Sequence, residues 1–431
     1  MKNFFKFTEH NTSFKQESLA GLTTFLSVAY ILVVNPLILS QAGMDRGAVF
    51  TATALTAIIG TLLIGLLANY PIAIAPSMGL NSFFTFSVCI GMGIKWEVAL
   101  TGVFIAGIIF MLLSLMKIRE KIITVIPPDL KHAIAAGIGF FITFIGLKNA
   151  GIIISNPDTF VTIGNLTSPA TGLAIIGLII TVIMLVRGIN GGIFYGMVIT
   201  TIIGMIVGLI KVPSKLIGSI PSMEPTFGVV FSHLNEIFTP EILAVIFTFL
   251  FVAFFDTAGA LIGLTSQAGM MKDNKIPNIG RALLADSSAG AVGAILGTST
   301  PATSVESSAG IAVGGRTGFT SVIIAACFAI ALFFSPILAV ITLEVTAPAL
   351  IIVGALMAME ISKINWNKLE IVIPSFLTII MMPLTSSVAT GIAFGFVLYP
   401  LCLIVQKRFK EIHPIMYVLG LLFILYFVFV A

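Results

Sequence analysis

Two broken segments decide the fold of this chain: YPIAIAPSMGLNSFF at residues 70–84 and LGTSTPATSVESSAGIAVGG at residues 296–315. Pro, Gly, Ser and Thr interrupt an apolar stretch in each, so neither begins as an ordinary helix facing lipid. Irregular backbone at membrane depth is tolerated only where protein or a watery cavity satisfies its polar groups. We predict two short strand-plus-half-helix segments that meet near the membrane midplane, with a pair of Pro-kinked structural helices as the alternative.

The composition of the whole chain points to lipid as its main solvent. The 431 residues are 58% hydrophobic and only 9% charged, whereas soluble domains carry roughly 25% charged residues. Soluble classes, disorder and nucleic-acid binding are excluded, because the net charge of +4 is spread thinly. The three cysteines lie in apolar runs without metal or disulfide spacing, so we expect no metal and no cofactor.

Apolar stretches of roughly 20 residues, the length that crosses a bilayer, recur about fourteen times. Seven lie on either side of a Pro-rich break, so the second set must run opposite to the first. We predict an all-α polytopic membrane protein of two inverted repeats of seven spans, with the half-helices in spans 3 and 10. The predicted divisions are a cytoplasmic or interfacial N-terminus (1–17), a first repeat (18–210), an extracytoplasmic linker (211–240), a second repeat (241–405) and a basic segment with an apolar tail (406–431).

Traces of an internal duplication support the two repeats. The matching stretches are QAGM at 41–44 and 267–270, and GIFYGMV at 192–198 with GIAFGFV at 391–397. An offset of 225 residues also places Pro76 on Pro301 and Asn81 on Glu306. Inverted repeats are typical of transporters, whose substrate site lies near the midplane at the repeat interface.

Basic residues indicate how the chain is oriented. With a cytoplasmic N-terminus, all but five of the 22 Lys and Arg fall on the inside, as the positive-inside rule requires. The five that face out are Arg46, Lys95, Lys148, Lys211 and Lys215. We expect a multi-pass protein of the bacterial cytoplasmic membrane, and we leave open whether the apolar tail at 413–431 spans it.

Acidic residues inside spans are the strongest functional candidates, since charges at membrane depth are costly. Asp256 lies in the middle of FTFLFVAFFDTAGALIGL (247–264), and Glu306 lies in the second broken segment. Neither has a Lys or Arg nearby in sequence, so each must be neutralised by a proton, a cation or a ligand. For Asp286, a structural ion pair or a solvated helix end is at least as good an interpretation as a role with substrate.

These carboxylates suit a planar ligand and a coupling proton. A carboxylate accepts hydrogen bonds from ring N–H groups of a heterocycle, and it can also load and release a proton as access alternates. Asn81, which corresponds to Glu306 in the repeat, and Ser304 are polar candidates beside it. Phe83 and Phe255 are candidates for stacking on a flat ring.

The chain resembles the AzgA-like purine permeases, a branch of the nucleobase–cation symporters related to the uracil and xanthine permeases and the nucleobase–ascorbate transporters. The resemblance rests on AGLTTFLSVAYILVVNPLIL (20–39), APSMGLNSFF (75–84), FFDTAGALIGL (254–264) and GTSTPATSVESSAGIAVGGRTG (297–318). It implies a core domain (18–116 and 241–341) that carries the substrate and a gate domain (131–210 and 346–405), often the homodimer surface.

The resemblance also implies a substrate and a set of site residues. Hypoxanthine, guanine and adenine are taken up with protons by this branch. Its span-8 acid, span-10 acid and span-3 asparagine match Asp256, Glu306 and Asn81. In the uracil branch the span-8 acid is Glu, followed one turn later by a His. Here Ala260 occupies that later position, which shifts proton coupling to the carboxylates.

The sequence thus predicts a proton-coupled importer of purine nucleobases rather than an enzyme. Asp256 and Glu306 would hold the N–H edges of the purine, while Asn81 and the half-helix amides bind its acceptors. A transporter of xanthine or uracil and a channel for small solutes are the alternatives. An intramembrane enzyme would need a nucleophile–base or metal set, and a structural membrane protein would not need unpaired acids inside spans.

Overall fold

The computed structural model describes residues 2–116, 127–213, 215–270 and 276–429, and most of these residues are helical. The helices are α1 (Phe14–Val28), α2 (Ile31–Ser40), α3 (Arg46–Leu67), α4 (Met78–Ser82), α5 (Trp96–Leu115), α6 (Pro128–Asn149), α7 (Pro169–Val186), α8 (Gly192–Ile206), α9 (Pro240–Gln267), α10 (Ile279–Leu296), α11 (Ser307–Ala312), α12 (Gly318–Ala331), α13 (Ser335–Ala339), α14 (Leu343–Ala358), α15 (Leu369–Thr385), α16 (Val388–Val405) and α17 (Pro414–Phe429). A π-helix, Phe83–Gly91, continues α4. The strands are β1 (Ile74–Pro76), β2 (Ile153–Asn156), β3 (Phe160–Ile163) and β4 (Pro301–Thr303).

The helices have the length and composition of membrane spans. Within the described ranges, nine helices are long and apolar enough to cross a membrane, and several shorter apolar helices accompany them. The predicted polytopic helical fold is confirmed, whereas the exact number of spans stays a prediction. Five of the basic residues counted on the inside lie outside the described residues: Lys117, Arg119, Lys121, Lys272 and Lys275.

The two broken segments meet as predicted. β1 and β4 pair antiparallel, with Pro76 opposite Pro301 and Ile74 opposite Thr303. The ladder extends at both ends, since the Ser77 amide donates to the Thr300 carbonyl (3.1 Å) and the Ser304 amide to the Ala73 carbonyl (2.9 Å). The first half-helix is α4 with its π-helix, and the second is α11. Because the strands are antiparallel, the half-helices leave the crossing in opposite directions.

Helix contacts divide the molecule into two groups. The strand-bearing bundle contains α1–α5 and α9–α13, in which α5 packs on α10 and α3 packs on α12 and α10. The flanking bundle contains α6–α8 and α14–α16, in which α6 packs on α14 and α15. The two bundles touch closely where a Cβ on Gly79 in α4 would lie 2.6 Å from Cγ2 of Ile138 in α6.

Equivalent local structure appears at the duplicated stretches. Each QAGM stretch lies at the C-terminal end of a helix and holds a glycine in the left-handed region, Gly43 at φ 95° and Gly269 at φ 67°. This conformation suits glycine and ends a helix. In the flanking bundle, a Cβ on Gly196 or on Gly395 would overlap the hydroxyl oxygen of a threonine in the neighbouring helix, Thr181 and Thr378 respectively. The weak sequence matches therefore mark structurally equivalent helix ends and contacts.

The N-terminal segment packs more deeply than an interfacial segment would. Phe5 and Phe7 are buried, and both rings lie 5.7 Å from the ring of Phe319 at the start of α12. α1 begins at Phe14, because the Ser13 hydroxyl caps it by accepting from the Gln16 amide (3.3 Å). α1 therefore begins within the predicted N-terminal segment (1–17), and the division after residue 17 stays a prediction.

The connection between α6 and α7 differs from the all-helical prediction. β2 and β3 form an antiparallel hairpin there, with Asn156 opposite Phe160. Phe160 has a left-handed backbone (φ 64°) and is 83% exposed. The stretch falls between two apolar spans, so hydropathy alone gave no sign of the hairpin. The apolar tail forms α17, which packs on α16.

Candidate functional site

Asp256 faces the junction of β1 and the first half-helix. It lies in α9, sixteen residues after the first turn begins at Pro240. Its Oδ2 accepts a hydrogen bond from the hydroxyl of Ser77 (2.7 Å), the residue between β1 and α4. The carboxylate is half-buried. The predicted acid thus lies at the N-terminal end of a half-helix, whose dipole favours a negative charge.

Glu306 occupies the corresponding junction after β4. Its Oε1 accepts from the hydroxyl of Tyr30 and its Oε2 from the hydroxyl of Ser304, each at 2.5 Å. Glu306 immediately precedes α11, and it is half-buried like Asp256. Ser304, a predicted site residue, therefore contacts the acid directly. Sequence reasoning missed Tyr30, which is separated from Glu306 by 276 residues along the chain.

A third acid completes an unusual concentration of negative charge. Asp286 in α10 is 4% exposed, so the interpretation as a solvated helix end is wrong. Its Oδ2 accepts from the hydroxyl of Thr257 (2.8 Å), the residue that follows Asp256. The three carboxyl groups therefore lie around the strand crossing, each held by a hydroxyl group.

Asn81 lies in a buried hydrogen-bonded network beside the crossing. Its Nδ2 donates to Oδ1 of Asn35 (2.5 Å), and Nδ2 of Asn35 donates to the hydroxyls of Thr53 (2.7 Å) and Thr298 (2.9 Å). All four side chains are fully buried. In this conformation Asn81 joins the first half-helix to α2, α3 and the approach to β4, and its role in ligand binding stays a prediction.

The remaining predicted contacts are Phe83, Phe255 and the backbone amides of the half-helices. Phe83 is buried and packs edge-on against Phe249 of α9, with 5.0 Å between ring centroids. The side chain of Phe255 lies outside the described part of the chain. At the second half-helix, the amides of Ser307 and Ser308 already donate to the carbonyls of Ser304 and Val305. Fewer free backbone amides than expected are therefore available to a ligand at the second half-helix.

A wide cavity lies apart from these carboxylates. It measures about 520 Å³ and opens beyond the far end of the first half-helix. Its polar and aromatic lining includes Gln41, Lys95, Trp96 and Glu97. Because none of the three clustered acids lines this cavity, we place the candidate site at the strand crossing instead.

The fold and the site define a multi-pass helical membrane protein of two repeats, with paired acids where two half-helices meet. The transmembrane domain of a cyanobacterium bicarbonate transporter, BicA, has the same fold. It aligns with a TM-score of 0.63 at 17% identity, covering 89% of this chain and 98% of that one.

Sequence comparison then identifies the family. The model of the Permease family (Xan_ur_permease) matches residues 15–394, and the chain belongs to this family. It is 57% identical over 438 residues to the guanine/hypoxanthine permease PbuG of Bacillus subtilis (strain 168), covering 100% of both chains. It is 40% identical over 431 residues to the adenine permease AdeP of Escherichia coli (strain K12), covering 100% of this chain and 96% of that one.

Proposed function

We propose that this permease imports purine nucleobases together with protons by alternating access. The observation that carries the proposal is the pair of half-buried carboxylates, Asp256 and Glu306, at the junctions of the two half-helices. The names of its relatives, guanine/hypoxanthine permease and adenine permease, support a purine as the substrate. A purine is flat and carries both N–H donors and ring acceptors, which matches a site of carboxylates and hydroxyls.

Each carboxylate would accept one N–H group of the purine. Asp256 and Glu306 both belong to the second repeat, and they lie at the junctions of different half-helices, so a ligand between them would contact both at once. The amides in the first turn of α4, which have no partner within the helix, would donate to ring nitrogens or a carbonyl oxygen. Carboxylate acceptors on two sides distinguish a purine with available N–H donors from one that is alkylated there.

The acid cluster also supplies the coupling proton. Like charges on Asp256 and Glu306, which both lie at the strand crossing, would repel each other in a site of low dielectric, and one proton on either would relieve that repulsion. A neutral purine does not change the net charge of the site, so only the proton can relieve the repulsion. The proton and the purine therefore bind most favourably together. Coupling requires that the proton raise purine affinity in the outward-facing state and lose this effect in the inward-facing state.

Alternating access would come from movement of the strand-bearing bundle against the flanking bundle. The site lies wholly in the strand-bearing bundle, so it can move as a unit. The strand-bearing bundle would be the transport core, and the flanking bundle the gate and possible dimer surface. We place the N-terminus in the cytoplasm and the protein in the bacterial inner membrane, as the basic residues predict.

Uptake of labelled hypoxanthine into proteoliposomes with an imposed proton gradient tests the proposal. We expect Glu306→Gln to lower the initial rate by roughly 10- to 100-fold, the value of a lost hydrogen bond to a charged group. Glu344→Gln is the matched control, since Glu344 is half-buried in the first turn of α14. Normal uptake by Glu306→Gln would show that the site is elsewhere.

Two further measurements distinguish this function from a transporter of xanthine or uracil and from a channel. Unlabelled adenine, guanine, xanthine and uracil compete in proportion to their affinity. Competition by uracil alone would replace the purine assignment, and competition by xanthine alone would replace hypoxanthine, guanine and adenine as the substrates. A proton uncoupler should abolish the accumulation of hypoxanthine by a symporter, whereas the flux of solute through a channel would be unaffected by the uncoupler. Accumulation that survives the uncoupler would contradict proton coupling.

A further inference from the structure

Both oxygens of Glu306 already accept hydrogen bonds from the protein, but the two donors differ in origin. Ser304 lies two residues away, so its hydroxyl moves with Glu306. Tyr30 comes from the first span of the chain, and its hydroxyl bonds to Oε1 (2.5 Å) across 276 residues. A ligand N–H group that reaches Glu306 therefore meets one donor that is local and one that belongs to another span.

Tyr30 lies at a break in the helix of the first span. α1 ends at Val28 and α2 begins at Ile31, so Ala29 and Tyr30 form the break. Pro36 inside α2 removes a further hydrogen bond, because proline has no amide hydrogen to donate to the Leu32 carbonyl. The first span is therefore interrupted at the level of Glu306.

The ring of Tyr30 is held in the core while its hydroxyl reaches the site. Tyr30 is 2% exposed and belongs to the main hydrophobic core. A phenol O–H and a purine ring N–H are both single donors, and they compete when they approach the same lone pair of a carboxylate oxygen. Loss of the Tyr30 bond can thus be compensated at Oε1 by a ligand N–H, while the released Tyr30 hydroxyl loses its acceptor, so the exchange costs binding energy.

We propose that Tyr30 is a placeholder donor, whose hydroxyl holds Oε1 of Glu306 until a purine N–H group displaces it. The proposal rests on the proposed function, because it names the protein group that the purine replaces. Ligand binding then exchanges one hydrogen bond for another, which lowers affinity and links occupancy of the site to the break between α1 and α2. Tyr30 is a specificity-determining residue in this scheme, since only ligands with an N–H donor can release it.

Isothermal titration of the purified full-length protein with hypoxanthine tests the exchange. Tyr30→Phe keeps the ring and removes the competing donor, so we expect affinity to rise about tenfold, the value of one hydrogen bond in a desolvated site. Tyr70→Phe is the matched control, because Tyr70 is also fully buried and its hydroxyl donates to the Pro277 carbonyl instead. Its affinity should equal that of the wild type.

The outcomes separate this proposal from the proposed function. No purine binding by the wild type would contradict the proposed function. Wild-type binding with equal or weaker affinity in Tyr30→Phe would overturn the placeholder role alone. Hypoxanthines methylated at N1, N7 or N9 add a further check, since the analogue whose methyl blocks the displacing N–H should gain nothing from Tyr30→Phe. An equal gain for all three would also overturn the proposal.

A second measurement does not depend on the stability of the variant. 3-Fluorotyrosine incorporated at position 30 reports the hydrogen bonding of the hydroxyl through its ¹⁹F resonance. Hypoxanthine should shift this resonance and leave that of 3-fluorotyrosine at position 70 in place. A resonance at position 30 that does not respond to saturating hypoxanthine would show that Tyr30 stays bonded to Glu306.

Discussion

The hydroxyl of Ser87 donates to the carbonyl oxygen of Ser386 at 2.6 Å, which joins the first half-helix to the flanking bundle. Ser87 lies in the π-helix beyond α4, and Ser386 is the left-handed residue (φ 50°) in the turn between α15 and α16. If the bundles move against each other, this hydrogen bond must break. It is therefore a direct contact by which the proposed motion can be perturbed.

Ser87→Ala should favour separation of the two bundles at this contact. The loss of one neutral hydrogen bond is worth about 0.5–1.5 kcal/mol, so the equilibrium between conformations should shift by up to about tenfold. We expect a changed maximal uptake rate with little change in purine affinity. Ser40→Ala is the control, since the Ser40 hydroxyl bonds to Leu37 within its own helix. Equal rates for both variants would contradict a role for the contact.

Asn35→Ala should destabilise the strand-bearing bundle. The variant loses two donated hydrogen bonds, to Thr53 and Thr298, and leaves the Asn81 amide without its partner. Unsatisfied buried polar groups cost about 1–3 kcal/mol each, so a clear drop in the thermal midpoint in detergent is expected. Thr53→Val, which removes only one acceptor, should cost less. The reverse order would show that the network contributes little.

Gly196→Ala and Gly395→Ala should destabilise the flanking bundle to a similar extent. In both repeats the added methyl would overlap a threonine hydroxyl of the adjacent helix, at Thr181 and Thr378. Overpacking of this kind costs about 1–3 kcal/mol. Gly172→Ala in α7 is the control, because nothing lies within 4 Å of its Cβ position. Differential scanning fluorimetry should show losses at both repeat positions, and unchanged midpoints there would contradict their equivalence.

Arg408 should stabilise the C-terminal segment only above acidic pH. Its guanidinium contacts Glu411 at 2.6 and 2.7 Å, and this hydrogen bonding holds the pKa of Glu411 below its usual value. A carboxyl with a lowered folded-state pKa contributes stability above its unfolded pKa of about 4.3, and the contribution disappears as pH falls through the folded value.

The measurement is the difference in thermal midpoint between wild type and Arg408→Ala across a pH series. The difference should be small and constant near neutrality and shrink as the pH falls below about 4. Arg187→Ala, at an exposed position after α7, supplies the comparison. A difference that grows on acidification would have the wrong sign for this ion pair.

Local sequence signals predicted the parts of the fold that depend on neighbours along the chain. Pro76 and Pro301 marked the two strands because proline breaks helices, and the structure pairs them directly. Asp256 and Glu306 were recognisable because charged residues are scarce in the apolar spans, and both lie at half-helix junctions. The hairpin of β2 and β3 was missed because it is short and lies between apolar spans, where hydropathy is uninformative.

The sequence by itself determined that lipid is the solvent, where the chain breaks and which acids have no basic neighbour, because these properties depend on composition and local backbone chemistry. Only the tertiary structure decided which donors meet those acids. Ser77 reaches Asp256 across 179 residues, and Tyr30 reaches Glu306 across 276. A hydroxyl in an apolar span carries no local mark of its partner, since that choice is made when packing brings distant spans together.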